Sequence, residues 1–364
     1  MKLRTLILAV AVLAALSVAA YLGNRTKPAS PTDPRVGTAL LDSDTAAKAA
    51  GLAVADQGKE VDLSRGADGT WTVGSYYNLP ADFSKVSQLA RDLNEAKVER
   101  VVTDNPERLA HLGFADSAIT LKDASGKAIW RLVVGKEPDS GTGRFIRFGD
   151  EPRAYFSGLH VWLDTDPKGW ANAQLLSVKP DDIASVEIAF DGGPPVVASR
   201  AKKDAPWTSA ATPAGKQVSA DRVSSVLSSL TALKFTDTTG VGDAAPAAAA
   251  PFMRTFRLTT FDGRSLTISL GRKPEEKKLK ATPTDAKAAL GAMGSLTDTK
   301  APVKPTVPEF DTIPAGPVFV SISGSDAGAA VNDLMKRRAF EIDDYVFTGL
   351  PQKPDELFEA AKGK

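Results

Sequence analysis

Two stretches of the chain share one alternating pattern. Residues Ile119–Lys136 read "ITLKDASGKAIWRLVVGK", and residues Phe256–Lys273 read "FRLTTFDGRSLTISLGRK". Each stretch holds two runs of alternating apolar and polar residues, joined by a turn that contains glycine and closed by a glycine and a basic residue. A period of two predicts half-buried β-strands, and a short turn between two such runs predicts a hairpin. A chain that builds this hairpin twice is predicted to contain a duplicated β-sheet unit.

The sequence before the two hairpins also matches in order. Trp71 precedes Trp207 by 136 positions, and Gly135 precedes Gly271 by the same number. Both tryptophans follow a segment rich in turn-forming residues and precede an amphipathic segment. The constant spacing favours a duplication over chance similarity. Each tryptophan is expected in the core, and a role in lining a groove is the alternative.

Each copy has one predicted main helix. Asp82 and Asp221 are expected to be the N-caps of these helices, because a short carboxylate can accept hydrogen bonds from the free N–H groups of the first turn. The apolar faces at helical spacing are Val86, Leu89, Ala90 and Leu93 in the first copy and Val223, Val226, Leu227 and Leu230 in the second. These faces predict one helix packed on each sheet.

These patterns predict an α+β fold of two related modules, each an antiparallel β-sheet with one main packed helix, after an N-terminal transmembrane helix. The predicted boundaries are an anchor over 1–25, a linker over 26–50, a first repeat over 51–178 and a second repeat over 179–364. The tails of the repeats are expected to match, since "LLSVKPDDI" from Leu175 is similar to "FTGLPQKPDEL" from Phe347.

Two low-complexity inserts are predicted in the second repeat, near 240–251 and 275–310. Both contain few large apolar residues, so that burial would not offset the chain entropy lost on ordering. They are interpreted as loops that act as solvated spacers, with contact to a partner as the alternative.

The N-terminus carries nineteen uncharged residues from Thr5 to Gly23, preceded by Lys2 and Arg4. As a helix this run would span roughly 28 Å, close to the hydrocarbon thickness of a bilayer. The basic flank predicts that the residues after Arg25 face away from the cytoplasm. We therefore expect a single-pass protein of the inner membrane, embedded through residues 5–23, with its body in the periplasm. A signal peptide cleaved near "SVAA" is the alternative.

Composition excludes several classes of chemistry. The chain has 45 Lys and Arg against 44 Asp and Glu, a formal net charge of +1, so that no nucleic-acid partner is expected. It has no cysteine, which excludes disulfides, thiolate nucleophiles and cysteine-based metal sites. Only two histidines are present, His111 and His160, which leaves few groups for acid–base or metal chemistry.

The order of motifs resembles a known bacterial family. The residues that carry the likeness are Trp71, "ADFSKVSQLARDL", "HLGF", the hairpin that ends "VVGK" and the following "GRFIRFGDEPRAYF". They resemble the domain-of-unknown-function family numbered 4340, well over Lys59 to Phe190 and more loosely over Ala184 to Leu357. The second copy has "AAPAAAAPFM" in place of "LAHLGF", and its Gly-Arg-Phe strand is missing or displaced. The resemblance implies a membrane-anchored extracytoplasmic protein, often encoded beside components of ABC transporters similar to those of gliding motility, and no catalytic residues.

The two histidines are the first candidates for chemistry. His111 follows Glu107 by four residues, a spacing at which a base and a carboxylate share a helix face. No nucleophile is placed near them, so that a surface or half-buried histidine is the favoured interpretation. His160 is expected to pack near Trp162 rather than to bind a ligand.

Three further motifs fail on their spacing. "DTDPKGW" from Asp164 begins like a calcium loop, but Lys168 and Leu175 stand where oxygen ligands are required, so that a helix-capping turn is expected. "DSGTGRFIRFG" leads into an alternating strand rather than a helix, which excludes a phosphate loop. "SRAK" at 199–202 fits Ser-x-x-Lys but lies in a predicted strand. We assign no catalytic, cofactor-binding or metal-binding residue.

The function that these observations favour is a non-enzymatic, membrane-tethered binding or scaffold protein. The resemblance suggests an ABC transporter permease or auxiliary subunit as its partner. The alternative is a cell-envelope hydrolase in which the fold assembles His111 with acidic residues.

Overall fold

The computed structural model of the protein describes residues 33–139, 141–279, 310–326 and 329–361. They form two compact units that divide between Asn172 and Ala173, six residues before the predicted boundary. Both units combine antiparallel sheets with a few helices, which confirms the predicted α+β class. The predicted membrane anchor over 1–25 lies outside the described residues. Within the described part of the chain, no helix has the length and apolarity to cross a bilayer.

The first unit is built on a nine-stranded antiparallel sheet. Its strands in chain order are β1 (Gly51–Asp56), β2 (Lys59–Arg65), β3 (Trp71–Val73), β4 (Leu79–Pro80), β5 (Val98–Thr103), β6 (Ala118–Lys122), β7 (Ala128–Val134), β8 (Arg144–Phe148) and β9 (Ala154–Ser157). Their order across the sheet is β4-β3-β2-β1-β6-β7-β8-β9-β5. The predicted hairpin is β6–β7, and its register pairs Ile119 with Leu132 on the buried face.

The helices of the first unit are α1 (Ser43–Lys48), α2 (Phe83–Glu95) and α3 (Pro106–Leu109). The carboxylate of Asp82 accepts hydrogen bonds from the N–H groups of Ser84 at 2.9 Å and Lys85 at 3.4 Å, which confirms its role as N-cap of α2. Val86, Leu89 and Leu93 are the buried residues of α2. Each such side chain contributes roughly 1.5–3 kcal/mol through removal of apolar surface from water.

Part of the predicted linker is folded. Residues 33–50 pack on the first unit, where Leu40 and Leu41 are buried. The Leu40 N–H donates to the carbonyl of Ala96 at 2.9 Å, and the Val98 N–H donates to the carbonyl of Thr38 at the same distance. The polar composition around the two leucines led to the linker prediction, which is wrong for 33–50; residues 26–32 lie outside the described part.

The second unit is built on a seven-stranded antiparallel sheet and two short ribbons. Its strands in chain order are β10 (Ile183–Ile188), β11 (Val196–Ser199), β12 (Lys216–Val218), β13 (Phe235–Thr239), β14 (Arg254–Thr260), β15 (Ser265–Gly271), β16 (Glu276–Leu279), β17 (Phe310–Ile313), β18 (Val318–Gly324), β19 (Ala339–Ile342) and β20 (Phe358–Ala360). The large sheet has the order β11-β10-β14-β15-β18-β19-β13, and the ribbons pair β12 with β20 and β16 with β17.

The helices of the second unit are α4 (Ala220–Thr231), α5 (Ala244–Ala249), α6 (Ala330–Arg337) and α7 (Asp344–Gly349). Helix α4 buries the predicted face of Val223, Val226, Leu227 and Leu230. Its N-cap is Ser219, and Asp221 lies inside the first turn, so that the predicted cap at Asp221 is wrong. The spacing between Val86 and Val223 is 137, which places Ser219 rather than Asp221 opposite Asp82.

The predicted insert near 240–251 contains helix α5 and a 3-10 turn over Ala250–Phe252. Alanine is the strongest helix former, and Ala249 is buried, so that the segment is ordered without large apolar side chains. The second predicted insert, near 275–310, begins with β16 and ends with β17. Residues 280–309 lie outside the described part of the chain. Strand β18 follows this insert and pairs with β15, where β8 pairs with β7 in the first unit.

The predicted match between the tails is wrong. The 3-10 turn Pro354–Leu357 ends at a carbonyl that accepts from the N–H of Ser219 at 2.9 Å. In the first unit, the turn Pro167–Trp170 does the same for Asp82 at 2.8 Å. The stretch from Leu175 instead opens the second unit. A Pro-Asp pair after a lysine is a frequent turn signal, and here it occurs twice in different roles.

Candidate functional site

The two histidines lie apart from any cluster of reactive groups among the described residues. His111 is exposed in the 3-10 turn Ala110–Leu112, and Glu107 is exposed in α3. His160 is also exposed, and Trp162 is 86% exposed, so that the predicted packing of His160 beside Trp162 is wrong. No group of three or more His, Asp or Glu side chains suited to a metal ion occurs in the described ranges.

The other sequence candidates have structural roles. The carboxylate of Asp166 accepts from the Lys168 N–H at 3.1 Å, and thus caps the turn Pro167–Trp170 as predicted. Ser199 ends strand β11. Trp207 is buried, with the guanidinium of Arg200 4.7 Å from its ring centroid, which confirms the core interpretation. Trp71 is only half-buried and lines a small apolar cavity beside helix α2.

The "LGF" and "VVGK" motifs, which are distant in sequence, meet in the first unit. The Lys136 N–H donates to the carbonyl of Leu112 at 2.9 Å. A Cβ atom at Gly135 would lie 2.5 Å from that carbonyl oxygen and 3.0 Å from the ring of Phe114. Gly113 has φ +73°, a conformation that favours glycine. A Cβ atom at Gly113 would also lie 3.1 Å from the Cβ atom of Lys136. The two glycines therefore allow the turn after α3 to close on the end of β7.

A cleft of about 280 Å³ opens at this junction. Its floor and walls are formed by the β1–β2 turn, the start of β6, the end of β7, the start of β8 and an extended segment that follows β9. The lining residues are Asp56, Gln57, Gly113, Ser117, Val134, Gly135, Lys136, Arg144, Val161, Trp162 and Leu163. Five separate segments of the first unit thus contribute to one surface.

The charged groups of the cleft are two cations and one carboxylate. Asp56 accepts a short hydrogen bond from the hydroxyl of Ser117. Arg144 forms an ion pair with Glu137 at 3.1 Å. Lys136 is exposed, and its ammonium has no ion pair within the described ranges. The cleft therefore presents one uncompensated positive charge beside an engaged carboxylate.

Trp162 is the largest exposed side chain of the cleft. It stands in the segment between β9 and the turn Pro167–Trp170, flanked by Val161 and Leu163, which are half-buried. Exposure of an indole to water is unfavourable, and exposed tryptophans are enriched in the centres of binding surfaces. Trp162 is thus the strongest single indication of a binding surface in the first unit.

The segment that carries Trp162 is held in place by contacts with helix α2. Lys85 in α2 forms an ion pair with Asp164 and donates to the carbonyl of Gly169 at 2.9 Å. Its ammonium also lies 4.5 Å from the ring centroid of Trp170. Burial acts to raise the pKa of Asp164, but the hydrogen bonds from Lys85 and from the Asp166 N–H outweigh it and hold the pKa below its ordinary value. Asp164 therefore stays ionised near neutral pH and keeps the segment in place.

The end of the hairpin β14–β15 in the second unit has different side chains from the end of β6–β7. In the first unit, the carbonyl of Ser117 accepts from the N–H of Val134, the residue before Gly135, at 2.8 Å. Arg254 pairs with Leu270, the residue before Gly271. Its guanidinium donates to the carbonyl of Pro351 and lies 5.9 Å from the ring of Phe347. Burial lowers the pKa of Arg254. The side chains of Arg254 and Phe347 thus lie together beside the end of β15.

A larger open groove of about 670 Å³ lies elsewhere in the first unit, between the end of α1 and the β2–β3 and β6–β7 turns. Its lining is mainly alanine and glycine, and its Lys122 forms an ion pair with Asp62 at 2.8 Å. It has no exposed aromatic side chain. We therefore take the 280 Å³ cleft as the candidate site.

Sequence comparison locates the cleft within a known family. Residues 71–251 match the model of a family described as a domain of unknown function, DUF4340, in agreement with the resemblance noted from the motifs. The matched range includes Gly113, Gly135, Lys136, Arg144 and Trp162, and continues past the boundary between the units. No curated protein and no solved structure matches the chain.

Proposed function

We propose that this chain, which belongs to the DUF4340 family over residues 71–251, is a membrane-tethered extracytoplasmic binding or scaffold protein whose first unit holds a partner in the cleft at Trp162. The observation that carries the proposal is one cleft lined both by the exposed indole of Trp162 and by Lys136, whose ammonium has no ion pair in the part of the chain that the structure describes. Tryptophan is enriched among the residues that contribute most to protein interfaces, and a charged side chain next to it favours a partner of opposite charge.

The proposal includes a duplication, in which the second unit is a copy of the first with its cleft filled. The order β2-β1-β6-β7-β8-β9-β5 in the first sheet has its counterpart in β11-β10-β14-β15-β18-β19-β13. Backbone hydrogen bonds recur as well: Leu40 N–H to Ala96 corresponds to Leu175 N–H to Leu233, both at 2.9 Å. On the basis of this correspondence, we propose that the two copies begin near Thr38 and Ala173.

The tether is proposed from the apolar run of residues 5–23, which would place the two units in the periplasm. A protein held at the membrane surface meets integral membrane partners at high effective concentration. We propose an ABC transporter permease or its auxiliary subunit as the partner. The proposed role needs no reaction centre, and we assign none to His111 or His160.

Capture from solubilised membranes tests this function. The full chain and its Trp162→Ala and Ser117→Arg variants are compared as baits, with Lys202→Glu in the second unit as a control that also changes an exposed position. We expect the full chain and the control to retain the same integral membrane protein, and both cleft variants to lose it. Equal capture by all four baits would refute binding through the cleft.

The enzymatic alternative has its own test. We expect His111→Ala and His160→Ala to retain the activity of the full chain in its host at unchanged protein level. Loss of function in either variant at normal abundance would instead support the hydrolase interpretation.

A further inference from the structure

We infer that the occupant of the cleft is an acidic polypeptide segment of the partner protein, with an apolar side chain that packs on Trp162 and a carboxylate that pairs with Lys136. This inference rests on the proposed function, because it specifies the chemistry recognised by the same site. It is carried by the distribution of charge and exposure among the lining residues.

The positive charge of Lys136 is available to a ligand. Its side chain is exposed at the mouth of the cleft, while its backbone N–H is fixed by the carbonyl of Leu112 at 2.9 Å. The ammonium therefore extends from an anchored position. A carboxylate placed there would form a charge-assisted hydrogen bond, which is stronger than a neutral one.

The remaining charges of the cleft favour an anion over a cation. The carboxylate of Asp56 already accepts a hydrogen bond from the hydroxyl of Ser117. Arg144 is shared with Glu137, whose side chain is 63% exposed and lies outside the lining. A second carboxylate from a ligand can compete with Glu137 for Arg144, because exposed ion pairs contribute little. A cationic segment would be repelled by the ammonium of Lys136 and the guanidinium of Arg144, and the carboxylates of Asp56 and Glu137 are already engaged.

The apolar part of the cleft favours a ligand with an apolar side chain over a free small anion. Val161, Trp162 and Leu163 form one continuous stretch of the wall, and Val134 forms part of the floor. A bare phosphate or acetate would leave this surface in water. An extended peptide places successive side chains on opposite faces, so that an apolar residue and an acidic residue can reach the two parts together.

The second unit supports the same chemistry from within the chain. There, Arg272 occupies the position after Gly271 that Lys136 occupies after Gly135, and it pairs with the carboxylate of Asp344. The ring of Phe347 lies 5.7 Å from the guanidinium of Arg272. Helix α7 thus supplies one carboxylate and one aromatic side chain to this position. The proposed ligand supplies the same pair of groups to the open cleft of the first unit.

Fluorescence anisotropy of labelled peptides tests the inference on the full chain. The probes are a short peptide of alternating Glu and Leu, its Gln-for-Glu counterpart and its Lys-for-Glu counterpart. We expect the acidic peptide to bind at least about tenfold more tightly than either counterpart, since a lost charge-assisted bond weakens binding by about that factor. Raising the salt concentration to ~0.5 M should weaken the binding of the acidic peptide, because salt screens the interaction between exposed charges.

Variants locate the binding. Lys136→Glu and Trp162→Ala should each lower the affinity for the acidic peptide by about tenfold or more, as expected for central interface residues. Lys202→Glu makes the same change of charge on an exposed turn of the second unit and should leave the affinity unchanged. Equal affinity for the acidic and Gln peptides, or equal losses in Lys136→Glu and Lys202→Glu, would overturn the inference.

The outcome also separates the inference from the proposed function. If Trp162→Ala and Ser117→Arg abolish capture of a membrane partner while no peptide binds, the cleft is a binding site and the acidic peptide is the wrong occupant. If the acidic peptide binds equally well to the full chain and to Ser117→Arg, the cleft is not the site, and both proposals are contradicted.

Discussion

The hairpins β6–β7 of the first unit and β14–β15 of the second carry different side chains beside the end of their second strand. In the first unit, Ser117 stands beside the end of β7 and leaves a cleft open. In the second, Arg254 stands beside the end of β15, donates to the carbonyl of Pro351 and faces the ring of Phe347. The sheet is retained in both, so that its function in the fold does not depend on the cleft. The open cleft is the part in which the units differ, and it is therefore the part to test for function.

A second comparison identifies what the units share. Gly135 follows β7 and Gly271 ends β15, and a Cβ atom at each would lie 2.5 Å from the carbonyl of Leu112 and 2.6 Å from that of Phe252. The helical turn before the hairpin closes on the glycine in each case, although "LAHLGF" and "AAPAAAAPFM" have little in common. The glycine of the Gly-basic motif is thus structural in both units, while the basic residue after it is exposed in the first unit (Lys136) and paired with Asp344 in the second (Arg272).

The largest expected difference is between two tryptophans. Trp207 is 8% exposed and its replacement by Ala should destabilise the second unit by about 3–5 kcal/mol, because a large buried side chain leaves a cavity. Trp162 is 86% exposed, and Trp162→Ala should change stability by less than about 0.5 kcal/mol. Hydrogen exchange measured separately for peptides of each unit gives the two free energies of unfolding. Comparable losses would contradict the assignment of Trp162 to a binding surface.

The paired glycines should respond alike. Gly135→Ala and Gly271→Ala each force a methyl group against a backbone carbonyl, and each should destabilise its own unit by about 1–3 kcal/mol. Gly193 has no atom within 4 Å of the added Cβ and has no positive φ, so that Gly193→Ala serves as a control with little effect. Urea unfolding followed by hydrogen exchange makes the measurement. A loss in only one of the two units would break the structural correspondence.

The exchange of side chains at the cleft position should have opposite consequences in the two units. Arg254→Ser leaves the carbonyl of Pro351 without its donor and should destabilise the second unit by about 1–3 kcal/mol. Ser117→Arg places a guanidinium near Asp56 and should leave stability within about 1 kcal/mol while it closes the cleft to ligands. Thermal unfolding and peptide binding are measured on the same samples. Unchanged binding in Ser117→Arg would show that the cleft is not used.

The smallest expected effect concerns the caps of the main helices. Asp82→Ala should destabilise the first unit by about 1 kcal/mol, whereas Ser219, whose side chain makes no cap hydrogen bond, should tolerate Ala with a smaller loss.

The cap at Asp82 also predicts a pH dependence. Hydrogen bonds from the side chain and N–H of Ser84 hold the pKa of Asp82 below its ordinary value in the folded protein. Its contribution is therefore fully present above the unfolded pKa of about 3.9 and is lost as the pH falls through the lower folded pKa. The difference in stability between the wild type and Asp82→Ala should shrink below about pH 4, as measured by urea unfolding at several pH values. A constant difference down to pH 2 would contradict this role.

The regular elements could be predicted because their periodicity is visible. The alternation of Ile119–Lys136 and Phe256–Lys273 predicted β6–β7 and β14–β15, and the apolar faces predicted α2 and α4. The N-cap of α4 was predicted wrongly because the two main helices were compared across loops of different length. Asp221 lies 139 positions after Asp82, but the buried faces at Val86 and Val223 are 137 positions apart, so that Ser219 is the cap.

The folded part of the predicted linker was missed because its apolar content is small. Leu40 and Leu41 are the only adjacent large apolar pair among residues 33–50, and a pair has no period. The cleft was missed for a different reason. Asp56, Gly113, Lys136 and Trp162 come together only through the pairing of β1, β6 and β7 and the return of the chain after β9. The one local signal was a tryptophan in "HVWLD", which was assigned to packing with His160.

The central claim is that the first unit binds a ligand in its open cleft and that the second unit does not. Hydrogen exchange with and without the acidic peptide tests this claim most directly. We predict slower exchange in the presence of the peptide at 111–118, 134–139 and 158–166. We predict no change at 252–257, 269–274 and 344–352, where the side chains of Arg254 and Phe347 lie beside the end of β15. Protection of the second set, or of both sets equally, would contradict the account.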